Sequence, residues 1–322
     1  AIQNKAAESH NTAVGYKASG AVTSGDHNTS VGYGAFDDCD DGNFNTAIGS
    51  STLSANCGSS NTAVGDHAGN AFTGSGSTFL GATAGQFPTS AEFCTFVGHQ
   101  AGMGISGTRL TGDHNTAVGH NAGVKLQGAA TGNTFVGKSA GAGNTVAADN
   151  TAFGFEALLT ETGGQNSVAI GPRALRVQNN SSGNKFSTAV GSNAGAAITS
   201  GGSNTCIGGQ TGATLTTGSS NTLVGIATNV DTAARDGAVA LGNNLGTHAA
   251  NNSFRVSGAG GVFNTGNTSA WNTTSDERIK KNITDSTVGL AEINQIRVRN
   301  FEYRTADEIT DSSLQEYDLD QL

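Results

Sequence analysis

Histidine and aspartate side chains are the first candidates for chemistry in this sequence, because both residue types bind metal ions. A histidine near the axis of a three-fold assembly would occur three times around that axis, and three imidazoles could bind a metal ion. Five histidines stand in or beside a repeated sequence pattern that is described below: His27, His67, His99, His114 and His120. A group of aspartates could hold Ca²⁺: Asp37, Asp38, Asp40 and Asp41. No calcium-binding nonapeptide repeat accompanies them, so we expect solvated turn residues at both places and predict no metal and no cofactor.

A serine near the C-terminal end is the second candidate. Ser275 is followed by Asp276 and Glu277 in a charged segment. A serine hydroxyl becomes a nucleophile when a base takes its proton, and a lysine with a depressed pKa can be that base. Ser275 and Asp276 could equally cap a helix that starts at Glu277. Nothing in the chain resembles a glycosidase carboxylate pair, a phosphate-binding loop or a catalytic triad, so no multiple-turnover enzyme is predicted.

Four cysteines complete the reactive residues: Cys39, Cys57, Cys94 and Cys206. None belongs to a C-x-x-C pair, and no histidine stands at finger-like spacing, so a structural zinc site is not predicted. The even number permits disulfides, but the spacings are wide and irregular. We therefore expect free thiols in a reducing compartment.

Composition indicates what kind of scaffold carries these residues. The 322 residues include 48 Gly and 2 Pro, and only 13% are charged, which favours many short strands joined by tight turns over an ordinary globular core. A net charge of -9 gives no footprint for nucleic acid. No apolar stretch approaches the roughly 18 residues of a membrane span, so no membrane insertion is expected.

A repeat dominates the sequence. A pattern such as NTAVG at 11–15 occurs in 14 copies, mostly 16 to 18 residues apart. The copies end at Gly15, Gly32, Gly49, Gly65, Gly81, Gly98, Gly119, Gly137, Gly154, Gly171, Gly191, Gly208, Gly225 and Gly242. One solenoid coil per copy, with neighbouring coils about 4.8 Å apart, predicts a rod of roughly 65 Å. A globular domain of hairpins is the alternative, and the constant pattern disfavours it.

Each position of the repeat has a physical interpretation. The residue before the glycine is apolar and threonine usually stands two places earlier, so both are expected on one strand face, pointing into the coil. The residue between them, often alanine as in Ala13 and Ala47, is expected to point outward, where a small side chain would let a neighbouring subunit approach. The opening asparagine could form a ladder between coils, and the glycine suits a bend with positive φ or close backbone contact. An alanine three residues later indicates a second short strand or a bend.

The pattern N-[ST]-[AV]-[VI]-G-x-x-A resembles the head repeats of trimeric bacterial adhesins of the YadA-like class, and NSVAIG at 166–171 is close to their consensus. The resemblance covers about residues 11–245. It implies an all-β fold: a left-handed parallel β-roll, or solenoid, of about 14 coils in a homotrimer. The repeat is longer here than in that class, so larger outer turns are expected.

The composition changes sharply near residue 272. Residues 272–322 hold 17 charged residues and a single glycine, which indicates a domain boundary. Apolar residues at helical spacing up to Ile296, followed by Val298, Phe301 and Tyr303, predict a small α+β segment. The predicted domains are 1–245 for the repeats, 246–273 for a connector and 274–322 for the C-terminal segment.

Residues 274–304 resemble the start of the S74-type intramolecular chaperone domain of phage tail fibres and tailspikes. An S-D-x-R-x-K-x-N core matches at Ser275, Asp276, Arg278, Lys280 and Asn282. The resemblance implies trimerisation and self-cleavage beside Ser275, with Ser275 as nucleophile and Lys280 as its base. It covers only about 50 residues, so an incomplete domain is expected.

These features predict a structural and receptor-binding segment of a phage tail fibre, trimerised by its C-terminal chaperone. The expected partners are two further copies of the chain, a host surface receptor (glycan or protein) and other virion tail proteins, after assembly in the host cytoplasm. The longest turns, at 103–114 and 176–185, are either receptor contacts or spacers. A bacterial trimeric surface adhesin is the alternative, although heptads and alternating barrel strands do not appear here. An ice-binding solenoid is a third hypothesis, disfavoured because the single threonine of each strand shares its face with a valine expected to be buried.

Overall fold

The computed structural model describes residues 10–88, 90–180, 183–245, 250–256 and 263–264. The chain divides into two units, Ala1–Thr274 and Ser275–Leu322, and all described residues belong to the first. They form a single 16-stranded sheet whose strand order follows the chain. In this described part no helix is long and apolar enough to cross a membrane. The predicted boundaries of the connector, 246–273, stay predictions.

The strands are short and evenly distributed along the chain. In chain order they are β1 (Thr12–Val14), β2 (Thr29–Val31), β3 (Thr46–Ile48), β4 (Thr62–Val64), β5 (Thr78–Leu80), β6 (Thr95–Val97), β7 (Thr116–Val118), β8 (Thr134–Val136), β9 (Thr151–Phe153), β10 (Val168–Ile170), β11 (Thr188–Val190), β12 (Thr205–Ile207), β13 (Thr222–Val224), β14 (Val239–Leu241), β15 (Phe254–Val256) and β16 (Phe263–Asn264). Strands β1 to β14 coincide with the 14 copies of the repeat, ending at the apolar residue before the glycine.

Equivalent positions of the repeat stack directly on one another. Thr95 of β6 pairs with Thr116 of β7 and Val97 with Val118, and the same parallel register continues from β1 to β15. Among the strands of the described residues, β15 and β16 are the one antiparallel pair. The prediction of an all-β parallel solenoid of about 14 coils is confirmed. The left-handed sense and the three-chain assembly stay predictions, and the α+β segment at 274–322 lies outside the described residues.

The predicted orientation of the strand side chains is wrong. In β6 the middle residue, Phe96, is fully buried, whereas Thr95 and Val97 are partly exposed. Ala47 in β3 is likewise buried, while Ile48 is exposed. The middle position therefore faces the interior of the coil, and the threonine and aliphatic positions face outward. A small residue there marks limited space inside the coil, not the approach of another subunit.

Each coil from β2 to β12 contributes one large apolar side chain to a narrow core, counting a coil from its strand to the next strand. That side chain comes from the middle of the strand, from four residues after the repeat glycine, or from seven residues after it. The three groups are Phe79, Phe96 and Phe135; Phe36, Leu53, Leu158 and Leu175; and Phe72, Leu126, Ile198 and Leu215, all fully buried. The long turn after β6 adds Leu110. The rest of the core is filled mainly by alanine, so the cross-section of the coil holds about one large group at each level.

The asparagine ladder predicted from the repeat is confirmed. The side-chain Oδ1 of Asn28 accepts a hydrogen bond of 2.8 Å from the backbone N–H of Asn45, and its Nδ2 donates to the carbonyl of Gly42 at 2.7 Å. The first of these bonds recurs between successive coils, for example from Asn61 to Asn45 and from Asn150 to Asn133. Each asparagine thus ties its own coil to the next through groups that are buried from water.

The repeat glycines take the conformation predicted for them. All 14 have φ between 118° and 150°, and a Cβ on Gly137 would lie 2.6 Å from the carbonyl oxygen of Gly154 in the next coil. Two residues later the chain again has positive φ, between 50° and 59°, in every copy, although most of these residues are not glycine. The buried alanine three residues after the glycine therefore lies in a bend; no second strand forms there in the described residues.

Candidate functional site

The outward face of the sheet is a regular surface that follows the strands of the described solenoid. Each of the strands β1 to β14 presents one threonine or valine and one aliphatic or aromatic residue on this face, in columns that run along the solenoid. The second column includes side chains as exposed as Leu80, at 47%, and Phe153, at 56%. Because the core is already filled, these apolar groups have no room inside the coil. A continuous exposed apolar surface of this kind is typical of an interaction site.

Two further exposed columns flank this face. On one side, in the position after the repeat glycine, the rings of Tyr16 and Tyr33 stack with centroids 5.6 Å apart. On the other side, in the position before the asparagine, the ring of His27 stacks on Phe44 at 5.0 Å and that of Phe93 on His114 at 5.5 Å. The one-coil register places like residues at stacking distance, so aromatic ladders extend the apolar face on both sides.

The five predicted histidines lie at exposed or half-exposed positions and do not share one site. His67 pairs with the carboxylate of its neighbour Asp66 at 3.0 Å, and His99 stacks on His120 with ring centroids 5.4 Å apart. Only His27 belongs to a group of three side chains with converging ligand atoms in the described residues, with His10 and Asp26. The sequence analysis missed these two, although the spacing of His10 from His27 equals one coil.

The four aspartates of the acidic stretch do not converge on a common point in the described structure, where no group of three ligand atoms includes them. Asp37 instead pairs with Lys17 of the preceding coil at 3.6 Å, and the backbone carbonyl of Asp40 accepts hydrogen bonds from Thr23, Ser24 and Gly25. The stretch therefore belongs to the ladder of turns between neighbouring coils.

All four cysteines are buried and carry free thiols. The Sγ atoms of Cys39 and Cys57 lie 2.9 Å apart in adjacent coils; the two residues are one period apart in the sequence, a signal that the sequence analysis missed. The hydrogen bond from Cys39 and burial raise the pKa of the Cys57 thiol. Burial also raises the pKa of Cys94 to about 11 and that of Cys206 to about 12. None of these three is a thiolate nucleophile at neutral pH.

A charged aromatic group lies on the coils of β8 to β10. Lys138 and Arg173 lie 5.8 and 5.3 Å from the ring centroid of Phe155. Glu156 accepts hydrogen bonds of 3.1 Å from Arg173 and 3.0 Å from Arg176, and the first of these is the main cause of its lowered pKa. This group offers cations and an aromatic edge on an otherwise acidic chain.

The two long turns differ in how they are held. Residues 105–109 of the first are exposed, and Ile105 and Thr108 form an isolated antiparallel bridge at its tip. Leu110 then returns to the core and pairs with Gly128. In the second turn, Arg176 bonds Glu156 and Gln178 is buried, whereas residues 181–182 lie outside the description. The first turn therefore protrudes from a buried anchor.

Ser275 and Lys280, the predicted nucleophile and base of self-cleavage, lie outside the described residues. Their roles stay predictions that follow from the family resemblance alone.

Comparison with known families bears on this C-terminal part. Residues 275–316 match the family described as chaperone of endosialidase, Peptidase_S74, which confirms the resemblance drawn from the S-D-x-R-x-K-x-N core. A search of curated proteins found no match. The family match begins at Ser275, where the second unit of the chain also begins.

Proposed function

We propose that this chain is the shaft or head segment of a trimeric phage tail fibre or tailspike, assembled with the help of its C-terminal chaperone domain. The observation that carries the proposal is the match of residues 275–316 to the chaperone of endosialidase, placed directly after a parallel β-solenoid. Such a solenoid is a rigid element whose adjoining coils stabilise one another. The protein then acts structurally in the virion, with at most a single self-cleavage beside Ser275, for which Lys280 would be the base.

The outward face of the sheet is the proposed contact between the three chains. Its threonine and aliphatic columns repeat from β1 to β14, so three identical chains can associate side by side with the same residues meeting along the whole length. In an isolated chain this many exposed aliphatic side chains would favour aggregation. Burial against two further copies would prevent it. The contact surface is thus the Thr–aliphatic face, and the alanine column predicted from the sequence serves the interior.

Receptor binding would use surfaces that remain outside this contact. The exposed tip at residues 105–109 stands out from the regular columns, and the charged group around Phe155 lies in the column after the repeat glycine, beside the proposed contact. A host glycan or protein bound at such positions would be held by three chains at once, so weak single contacts would add up to strong attachment. Other virion tail proteins would bind at the ends of the segment.

The test of the trimer uses the full-length chain and two matched variants. Leu80 in β5 and Val146 in a turn are both 47% exposed, but only Leu80 lies on the proposed contact. Leu80→Glu would bring three carboxylates together and is expected to weaken the trimer in analytical ultracentrifugation, whereas Val146→Glu is expected to leave it intact. A monomeric wild-type protein, or equal effects of both substitutions, would contradict the proposed contact.

The test of self-cleavage is the mass of the product beside that of Ser275→Ala. Loss of a C-terminal fragment only when Ser275 is present would support self-cleavage of the chain. A stable, uncleaved wild-type trimer would be consistent with a fibre segment whose C-terminal domain only assists folding.

A bacterial trimeric surface adhesin is the second candidate, because the repeat resembles adhesin heads along residues 11–245. Attachment of the purified trimer to bacterial cells supports the fibre, whereas attachment to animal cells or matrix proteins supports the adhesin. The outward position of the valines removes one argument against an ice-binding face, and a thermal-hysteresis measurement on the purified protein decides that point.

A further inference from the structure

The first two coils bring two imidazoles and a carboxylate together on the surface. Nδ1 of His10 lies 3.3 Å from Oδ1 of Asp26, and Nδ1 of His27 lies 3.1 Å from Oδ2 of the same carboxylate. The ligand atoms of all three side chains lie within 4.8 Å of one another. The carboxylate thus stands between two ring nitrogens that both face it.

The solenoid register produces this arrangement. His10 and His27 occupy the same position of successive coils, before β1 and β2, and their rings stack with centroids 4.4 Å apart. Phe44 of the next coil covers the other face of the His27 ring at 5.0 Å. Each ring is therefore supported by a neighbour in the column, which limits how far the pair can move apart.

The backbone fixes the carboxylate between the rings. Oδ1 of Asp26 accepts hydrogen bonds from the backbone N–H groups of His10 at 2.6 Å and of His27 at 2.8 Å. These bonds, led by that from His10, lower the pKa of Asp26 to about 2, so the group is a carboxylate at neutral pH. Among the described residues no backbone N–H bonds to Oδ2, which faces His27.

We propose that His10, Asp26 and His27 form a binding site for a divalent transition-metal ion such as Zn²⁺ or Ni²⁺. Two imidazole Nδ1 atoms and a carboxylate oxygen are the donor set that such ions prefer over Ca²⁺ or Mg²⁺. A ring nitrogen that binds the ion carries no proton, so each neutral ring would carry its proton on Nε2 when the ion is bound. Water fills the remaining positions, since His10 is exposed.

The site lies within a single chain and does not depend on the proposed trimer. It would join the coils of β1 and β2, so a bound ion would stabilise these two coils by binding only their folded form. In the described residues no second histidine completes a metal-binding group with His67 and Asp66. His99 and His120 stack in the same manner as His10 and His27, but no described carboxylate converges with their ring nitrogens. That second pair provides a matched control.

The experiment is a titration of the full-length, tag-free protein with Zn²⁺ by isothermal titration calorimetry, repeated with Co²⁺ and read by visible absorption. The wild type is expected to bind one ion per chain and to melt at a higher temperature with Zn²⁺. Asp26→Asn retains an oxygen for the two backbone N–H groups, and His27→Asn suits the positive φ of that position. Both are expected to weaken binding by at least about ten-fold, the loss that even outer-shell changes cause.

The control is His99→Gln with His120→Gln, which is expected to bind as the wild type does. Circular dichroism establishes that each variant keeps the β-solenoid. Absence of binding to the wild type overturns the proposal, as does undiminished binding to Asp26→Asn and His27→Asn. Loss of binding in the control variant would place the ion at the other histidine pair and overturn it equally.

Discussion

Exchanging the position of the large core side chain within one coil tests the packing rule of this solenoid. In coil β6 the large group is Phe96 in the strand, and Gly102 stands four residues after the repeat glycine. In coil β9 the pattern is reversed, with Ala152 in the strand and Leu158 four residues after the glycine, both fully buried. The double substitution Phe96→Ala with Gly102→Leu converts the first pattern into the second.

The structure sets the magnitudes. Phe96 is fully buried, so Phe96→Ala alone is expected to lower the free energy of unfolding by about 3–5 kcal/mol. A Cβ on Gly102 would lie 2.5 Å from the Phe96 ring, and φ there is 52°. Gly102→Leu alone is therefore expected to cost about 1–3 kcal/mol through overpacking and about 1 kcal/mol through the positive φ, and the second cost remains in the double variant. Together the leucine fills the space left by the phenylalanine, and we expect the two changes to couple favourably by about 2–3 kcal/mol.

Urea unfolding of the full-length chain, followed by circular dichroism, measures the global effect. Hydrogen exchange at β5 to β7 measures it locally, because a solenoid can open at one coil while others stay folded. Phe93→Ala is the control: this ring lies three residues earlier, is 56% exposed and stacks on His114, so its loss is expected to cost about 1 kcal/mol or less. Additive effects in the cycle, or equal costs for Phe93→Ala and Phe96→Ala, would refute the reasoning.

Four further predictions concern the asparagine ladder, the bends with positive φ and the neighbouring cysteines. Gly137→Ala is expected to lower the free energy of unfolding by about 2 kcal/mol or more, measured in urea, because φ is 128° and the new Cβ would meet the next coil. Asn133→Ala removes the buried acceptor of the next coil's N–H, and a cost of about 1–3 kcal/mol in the same measurement is expected. Thr83→Asn is expected to raise the melting temperature, with a gain of about 1 kcal/mol, because a β-branched residue has a φ of 55° there; an unchanged or lower value would contradict this. Refolding from urea with oxidised glutathione, when the thiols are accessible, is expected to join Cys39 and Cys57 in a disulfide, because the sulfur atoms are 2.9 Å apart in the folded state; a refolded protein that shows no loss of two hydrogens by mass spectrometry would speak against it.

The period and the strand boundaries could be predicted because every copy repeats the same local chemistry. The strand of coil β6 ends at Val97, directly before Gly98, as the pattern required. The ladder of asparagines also followed from the sequence, since an amide at the same position of nine of the 14 copies has a backbone group of the next coil within reach. Repetition turns each local signal into a long-range one, because residues one period apart become neighbours.

The positive-φ positions after each glycine could not be predicted from residue type. Lys17, Thr83 and Arg173 occupy them with φ between 55° and 59°, although these residue types rarely adopt that conformation. The stacked coils impose it, since the backbone N–H of Thr83 donates to Asp66 of the preceding coil at 2.8 Å and that of Arg173 to Phe155 at 2.8 Å. Hydrogen bonds between coils thus outweigh the local preference, and only the stacked structure contains them.

The predicted orientation of the strand side chains was wrong, and the packing of the core explains why. Alternation in the sequence fixes which residues share a face but not which face is buried, and the aliphatic column was assigned to the interior because larger apolar residues usually lie inside. In this narrow coil one large side chain fills each level, and its position shifts between the strand and the turn, as Phe96 and Leu158 show. A constant aliphatic column in every strand would overfill such a core. The same residues must therefore lie outside. A column that stays apolar in all 14 coils while facing outward supports the contact proposed above, because a partner with the same period, such as a further copy of the chain, would meet it along its whole length.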